Sequence, residues 1–442
     1  MMHEEIAHYL SEKLQKKGAD DVIVQFGEGE SSLIKFVNSK ISTTKTWSNA
    51  NLGVFIAKDK KIMVSSLKEF NQKAADELAN KMMQNIRKLQ PNKEYRGIAK
   101  GPYKYKDISQ LYDKKIEDMD EEMIDITKQG IEAAGKTAKR VSGVFEKSKS
   151  EVLILSSNNI HAREKGSSLY FSLRALANKN ASGYGSCVSR MKDKLNFIDI
   201  AEHAGAIAKQ ALLPRKSIAG KFDVLFEPYA FAAMVERFAD SASIFNVESG
   251  LSCLEKKQGK KIGNSKVSIY DDGTIPNGFA SALFDDEGTP TQRTAILEKG
   301  VLKNYLHNTS SAKRYKTKST GNAGLISQKM NNIILEKGNA SKEEMFKSIK
   351  KGIYISNVWY TRFQNYQTGD FSTIPRDGAF YIENGKIKYA LKDIRISENI
   401  LNLMQNVAML GKETHQVKTW EVETPTFLPY TLVKNVNITK PN

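Results

Sequence analysis

Residues 247–324 read VESGLSCLEKKQGKKIGNSKVSIYDDGTIPNGFASALFDDEGTPTQRTAILEKGVLKNYLHNTSSAKRYKTKSTGNAG, and the rest of the chain is organised around them. The run is a series of short apolar segments cut by turn residues. Residues 267–270 lead into Asp271-Asp272-Gly273, which predicts a strand closed by a turn. Residues 294–297 and 301–306 flank Glu298-Lys299-Gly300, a short glycine-containing loop that predicts a hairpin. Between these strands lies an acidic loop, residues 284–291, followed by Gln292 and Arg293. Its consecutive carboxylates, Asp285, Asp286 and Glu287, repel one another, so a solvated turn is the expected setting.

Outward on the carboxyl side, the Ser341/Glu344 pair predicts a capping box opening a short helix. Residues 354–360 predict a strand, and Asn384-Gly385 predicts a tight hairpin between 379–382 and 386–390. A last helix is expected over 397–411, then strands within 424–439. Before the run come a strand at 222–226 and a helix with Pro228 at its first position, where the missing N–H costs nothing.

The amino-terminal half begins with a helix over 4–17, with Ile6, Leu10 and Leu14 at helical spacing. Strands at 22–26, 32–47, 53–57 and 62–65 predict an antiparallel meander, followed by an amphipathic helix over 68–89. Residues 92–112 are polar and turn-rich and read as a surface excursion. Helices over 120–138 and 199–212 bracket strands at 141–145, 151–156 and 167–178. Residues 215–220 read as a linker. The expected fold is α+β in two domains, 1–214 and 215–442, each a mainly antiparallel mixed sheet with packed helices.

A chain of 442 residues exceeds one compact core, and a 40% hydrophobic fraction supports packed domains rather than disorder. No apolar run reaches the length that crosses a bilayer, and the opening MMHEEIAHYL lacks a signal-peptide core, so a cytoplasmic location is expected. The two cysteines, Cys187 and Cys253, stand far apart, which argues against a disulfide framework or a cysteine-built zinc site. The net charge of +17 raises nucleic-acid binding as an alternative class, but lysines are interleaved with acids along the whole length and no nucleic-acid motif accompanies them.

The ordered series Ser252 before Gly259, YDDGT, FDDEGTPTQRT, EKGVLKNYL and STGNAG resembles the carboxyl-terminal half of the TldD/PmbA family. The GADDVIVQ and NLGVFIAKDKKIMVSS stretches resemble its amino-terminal domain more loosely. The resemblance implies kinship with a cytoplasmic heterodimeric zinc peptidase. One subunit type, TldD-like, carries an HExxxH metal helix; the other, PmbA- or TldE-like, lacks it. Counting back from Ser252 and Gly259 places that helix at Glu236-Arg237-Phe238-Ala239-Asp240-Ser241, where no histidine stands. The family's third ligand is a cysteine near the carboxyl terminus, and no cysteine follows Cys253. The resemblance thus implies a subunit with no catalytic and no metal-ligating residues and no cofactor of its own. Zinc is expected in a TldD-like partner, and the pair would enclose unfolded peptides for hydrolysis. A homodimeric, non-catalytic peptide binder is the alternative within the same fold.

One letter match competes. His3-Glu4-Glu5-Ile6-Ala7-His8 spells HExxxH, but positions five apart on a helix sit about 140° from one another, so the two imidazoles diverge. Ala7 also stands where the family has a glycine, and the match falls in the wrong domain. His161, His203 and His307 are isolated and read as structural, and His415 reads as a surface residue. Cys253 reads as a buried small hydrophobe. By resemblance, Asp285, Glu287, Arg293, Asn322, Tyr366 and Asp370 are candidates for lining an internal cleft. The Gly321–Gly324 run could offer backbone N–H groups to a peptide or phosphate, or simply mark a turn.

Overall fold

The computed structural model describes residues 3–215 and 218–440. An antiparallel six-stranded sheet, ordered β3-β2-β1-β4-β5-β6, forms the amino-terminal half. Its strands are β1 (Asp21–Val37), β2 (Lys40–Lys58), β3 (Lys61–Leu67), β4 (Arg140–Ser156), β5 (Ile160–Asn178) and β6 (Ala181–Ser189). The expected segments at 22–26 and 32–47 divide elsewhere: residues 22–37 form one strand without a break at 27–31, and residues 40–47 belong to β2 across a turn at 38–39. β1 continues through that polar stretch because β2 and β4 pair with it residue by residue on both sides.

Strand alternation assigns the two faces of this sheet. Val22, Val24, Phe26, Ile34 and Phe36 of β1 share one face with Leu153 and Leu155 of β4. At one end of that face sit α1 (His3–Lys16) and α2 (Gln72–Ile86), burying Ile6, Leu10, Leu14 and Met82. At the other end α3 (Asp120–Gly135) and α4 (Phe197–Gln210) close over Phe36, Phe145 and Phe171. The opposite face carries Ile23, Phe55, Ile154 and Ile160, which pack against Phe284 of the carboxyl-terminal half. The 92–112 segment is not the surface excursion its polarity suggests. Ile98 and Ala99 are buried, and Tyr95, Tyr103 and Tyr105 join the same cluster, so the segment is wedged between the halves.

In the carboxyl-terminal half, β7 (Gly220–Phe226) pairs in parallel with Lys351–Asn365 and antiparallel with Thr431–Thr439. Arg395–Asn399 and Asp370–Glu383 continue the sheet, and Asp370–Glu383 pairs back onto Lys351–Asn365, closing the strands into a ring. A second six-stranded sheet contains Ile269–Asp272, Arg293–Glu298 and Asn332–Leu335. The helix α5 (Pro228–Asp240) follows β7 with Pro228 at its first position. Eleven of its residues are buried, from Pro228 to Glu236 together with Phe238 and Ala239, so it is an interior helix rather than an amphipathic one. Each fully buried Phe or Met side chain in such a core contributes about 1.5–3 kcal/mol of transfer free energy.

Two other expectations are corrected. The helix expected over 397–411 is only Ile400–Gln405; Arg395–Asn399 before it and Val407–Leu410 after it are strands recruited by Thr431–Thr439 and its neighbours. The turn expected at Asp271-Asp272 begins at Gly273 instead, because both aspartates pair with Asn332-Ile333 as part of strand Ile269–Asp272. Of the expected linker at 215–220, positions 216 and 217 lie outside the described residues.

Candidate functional site

α5 is delivered into the core by β7, and both of its ends carry buried acid groups. At the start, Glu227 is 1% exposed. One carboxylate oxygen lies 3.0 Å from His203 Nε2, and the Tyr354 hydroxyl donates to the other. The Glu227 carboxylate beside it raises the pKa of His203. Lys342 Nζ bridges the hydroxyls of Tyr354 and Tyr430, 3.2 Å from each. This constellation was not legible in the sequence, since its members come from five separate segments.

The other end of α5 is the 236–241 window. Glu236 is buried, and its Oε1 accepts the Thr424 backbone N–H at 2.5 Å. Burial raises its pKa, with the Thr424 hydrogen bond and the Arg237 charge acting the other way. Burial also raises Asp240, which accepts from Asn246 Nδ2 at 3.2 Å. Ser241 Oγ donates to the Arg237 carbonyl, and Ser252 Oγ donates to the Ser241 carbonyl at 2.5 Å. The partly buried Lys418 ammonium donates to the Val422 carbonyl at 3.4 Å; burial lowers its pKa and the Glu236 charge partly restores it. A zinc site needs a compact set of nitrogen, sulfur or carboxylate donors. Here the window offers two carboxylates already bonded, Glu236 to the Thr424 amide and Asp240 to Asn246, with a guanidinium and a hydroxyl tied to its own helix and no imidazole or thiolate. Two cations, Arg237 and Lys418, act on the Glu236 carboxylate, and they repel a dication. The residues present do not fit a catalytic zinc.

The acidic loop overturns its expected solvated setting. Asp285 and Glu287 are 7% and 5% exposed. Asp285 Oδ1 accepts the backbone N–H of Glu287 and Thr289, and Oδ2 accepts that of Ala323, at 2.9–3.0 Å. Gly288 turns the loop at φ +78° and its carbonyl accepts from Tyr105 Oη. Glu287 accepts the Thr309 N–H at 3.3 Å, and Asp286 accepts Gln25 Nε2 of β1 at 3.1 Å. Burial pushes the pKa of both Asp285 and Glu287 up, and the two charges oppose each other across the loop. Backbone amides and the sheet face of the amino-terminal half, rather than water, supply the solvation that local sequence assigns to solvent.

Asn322 sits beside this loop but serves another carboxylate. Its Nδ2 donates to Asp271 Oδ2 at 2.7 Å; Asn331 donates to both oxygens of Asp271. Burial raises Asp271 to about 6 against these bonds. Three of the Gly321–Gly324 amides are spent internally: Gly321 N–H goes to Ser319 Oγ, Ala323 N–H to Asp285 and Gly324 N–H to the Ser327 carbonyl. Two cavities flank the loop at the junction of the halves. One, of about 320 Å³, is lined by Ile23, Tyr95, Glu287, Arg314 and Leu325. The other, of about 250 Å³, is lined by Gln25, Glu164, Arg190, Asp285 and Asn331.

The remaining candidates lie apart. Arg293 is exposed, its guanidinium 4.1 Å from the Tyr270 ring centroid and 3.2 Å from Glu336. Tyr366 and Asp370 belong to the tip of the hairpin between Lys351–Asn365 and Asp370–Glu383. Hydrogen bonds from Thr368 and Asn399 lower Asp370. Of the histidines, His307 is buried 3.2 Å from Ser311 Oγ, and burial lowers it to about 4. His415 is exposed. Cys253 is buried and both cysteines are free. Among the described residues no helix is long and apolar enough to cross a membrane.

Comparison with known proteins bears on this geometry. Residues 219–440 match the PmbA/TldA metallopeptidase C-terminal domain, and residues 113–212 match the central domain of the same family. A metalloprotease of Methanocaldococcus jannaschii is 31% identical over 58% of this chain and 55% of its own length. The matched part therefore spans about half of that relative. The metalloprotease PmbA of Escherichia coli O157:H7 is 29% identical over 46% of this chain and 43% of its own length. Among solved structures, a putative modulator of a DNA gyrase from Thermotoga maritima superposes with a TM-score of 0.87 at 25% identity, covering 99% of this chain and 100% of that one. TldE from Thermococcus kodakarensis does so with a TM-score of 0.87 at 20% identity, covering 98% and 100%.

Proposed function

Because the chain belongs to the PmbA/TldD metallopeptidase family, we propose that it is the PmbA/TldE-like subunit, without a catalytic metal of its own, of a cytoplasmic two-subunit peptidase. The observation that carries this reading is the end of α5. Where the family's metal helix is expected, this chain has Glu236 bonded to the Thr424 amide, Arg237, and Ser241 bonded to its own helix. Chemistry would then belong to a TldD-like partner that supplies the zinc, and this chain would help enclose an unfolded peptide. In the same proposal residues 1–214 and 215–442 are the two domains. Asp285 and Glu287 shape the internal cleft between them, braced by Asn322, while Arg293, Tyr366 and Asp370 line neither junction cavity and stand outside it.

A partner needs an apolar, cation-bearing surface to dock on, and one lies close to the Glu236 window. Trp420 and Tyr360 are 45% and 50% exposed. They stack edge-on with Trp359 at centroid distances of 5.0–6.2 Å. Arg174 and Arg376 each lie 4.8 Å from the Trp359 ring. Exposed Trp, Tyr and Arg in one cluster have the composition of an interface hot spot.

The test is peptide hydrolysis with and without the zinc-bearing relative from the same cell. The isolated chain should be inactive, the mixture active and chelator-sensitive, and Trp420→Ala should weaken association. Chelator-sensitive hydrolysis by the isolated chain would overturn the reading. Recovery of homodimers alone from native extracts would favour the non-catalytic peptide binder, and nucleic-acid affinity falling steeply with salt would favour the third class.

A further inference from the structure

We infer that Glu4, His8 and His161 form a binding site for a divalent transition-metal ion on the outer side of the amino-terminal half. The site lies on α1 and β5, far in sequence from α5, and stands independently of the peptidase reading. Its geometry follows from two periodicities. Residues four apart on a helix are neighbours on one face, which sets Glu4 beside His8. α1 seats on the sheet through Ile6, Leu10 and Leu14, against Val22, Val24, Leu153 and Leu155. In the β4–β5 ladder His161 stands opposite Leu155, and Arg163 opposite Leu153. Both side chains therefore project on the face that α1 covers.

The three groups converge there. The His8 and His161 rings meet edge to face with centroids 5.5 Å apart. Glu4 Oε1 is 3.9 Å from His8 Nε2. One donor atom from each of the three lies within 4.8 Å of the other two, and this is the only such trio of His, Cys, Asp or Glu among the described residues. Donors around a tetrahedral zinc sit about 3.3 Å apart, so a small rotamer adjustment closes the set. The second Glu4 oxygen pairs with Arg163, which is itself held by Glu151 at 3.0 Å. That leaves Oε1 turned to the histidines and the carboxylate oriented from behind, as outer-shell partners do for metal ligands.

Two imidazoles and one carboxylate select zinc or its first-row neighbours over calcium or magnesium, which prefer all-oxygen sites. A fourth position stays open to water. The HExxxH letters at 3–8 point to His3 and His8 as a pair, whereas the fold brings His8 to Glu4 and His161. A bound ion links the first turn of α1 to β5, in addition to its apolar seat on β1 and β4.

The experiment is calorimetric titration of Zn²⁺ into the full chain, without a histidine tag and after chelator treatment. One saturable equivalent is expected, together with a rise in thermal midpoint. His161→Ala and Glu4→Gln should each weaken binding by about tenfold or more and abolish the thermal rise. Metal-free melting of each variant separates ligand loss from misfolding, and His161→Ala is decisive because it removes an exposed strand side chain rather than a core one. Cobalt(II) bound here should gain the intense visible bands of a low-coordinate site. Absence of saturable zinc, or unchanged affinity in both variants, would overturn the inference. Zinc bound at this site without peptide hydrolysis leaves the peptidase proposal standing, and hydrolysis by the isolated chain that survives His161→Ala counts against that proposal alone.

Discussion

α1 and α5 pose the same question and answer it in opposite ways. α1 spells the metal motif, lies on the surface and covers the sheet with one stripe. α5 occupies the place where a family metal helix is expected, is buried almost all round and contains no histidine. In α1 the useful ligands are Glu4 and His8, four apart, completed by a strand residue that the chain reaches only after β4. In α5 a carboxylate that could ligate is committed to a backbone amide. A metal site is a matter of converging donors with free lone pairs, and neither burial nor spelling supplies that alone.

The largest effect should come from truncating the interior helix. Phe238→Ala removes a fully buried ring and should cost about 3–5 kcal/mol by denaturant unfolding. A loss under about 1 kcal/mol would mean that α5 is not the centre of its core. The comparison can be attacked more directly by writing the motif into α5. A Glu236→His, Arg237→Glu, Ser241→His triple variant should bind no more zinc than the unaltered chain. Imidazoles five apart diverge by about 140° on a regular helix, and no third ligand converges there. It should also lose about 1–3 kcal/mol, because the Thr424 amide is left without its acceptor. An additional equivalent of zinc would show that the letters suffice and that the contrast is false.

That contrast marks what was legible. Local chemistry transmitted well. Pro228 opens α5, and Ser341 with Glu344 closes a reciprocal capping box. Asn384 and Gly385 adopt positive φ in the hairpin they predict. Helical spacing in α1 also identified Ile6, Leu10 and Leu14, the buried residues that join this helix to the sheet. What escaped was set by distant partners. FDDEG reads as solvated because nothing nearby in sequence shows Ala323, Thr309 and the Ile23–Ile154 face closing over it. Residues 407–410 continue an apolar helical pattern but are captured as a strand by Thr431–Thr439. His161 was isolated in sequence and is not isolated in space.

A pH test sharpens the same comparison through one buried acid. Burial raises the Glu236 pKa, so the folded chain holds that proton more tightly than the unfolded chain. Its contribution to stability is therefore greatest below the unfolded carboxylate range and declines as pH rises toward the raised folded value. Glu236→Gln keeps an acceptor for Thr424 and removes the charge. The variant should be more stable than the parent at pH 8, with the gap closing toward pH 4, as read from denaturant midpoints. A gap that widens on acidification would reverse the sign and place the charge in a stabilising pair.

The smallest expected effect is the same chemical change made in α1. Glu4 is 30% exposed and pairs with Arg163, which is 48% exposed. Water screens such a pair, and its contribution is typically about 0–1 kcal/mol. Glu4→Gln in metal-free protein should therefore shift the unfolding midpoint little, less than Glu236→Gln shifts it at pH 8. Adding zinc should separate parent from variant, because only the parent offers a carboxylate to the ion beside His8 and His161. The surface helix then behaves as a ligand-poor frame that gains from metal, and the interior helix as a finished core that does not. A metal-free cost above about 2 kcal/mol for Glu4→Gln would make the Glu4–Arg163 pair a structural element, beyond what an exposed pair contributes. The difference between α1 and α5 would then lie in burial alone.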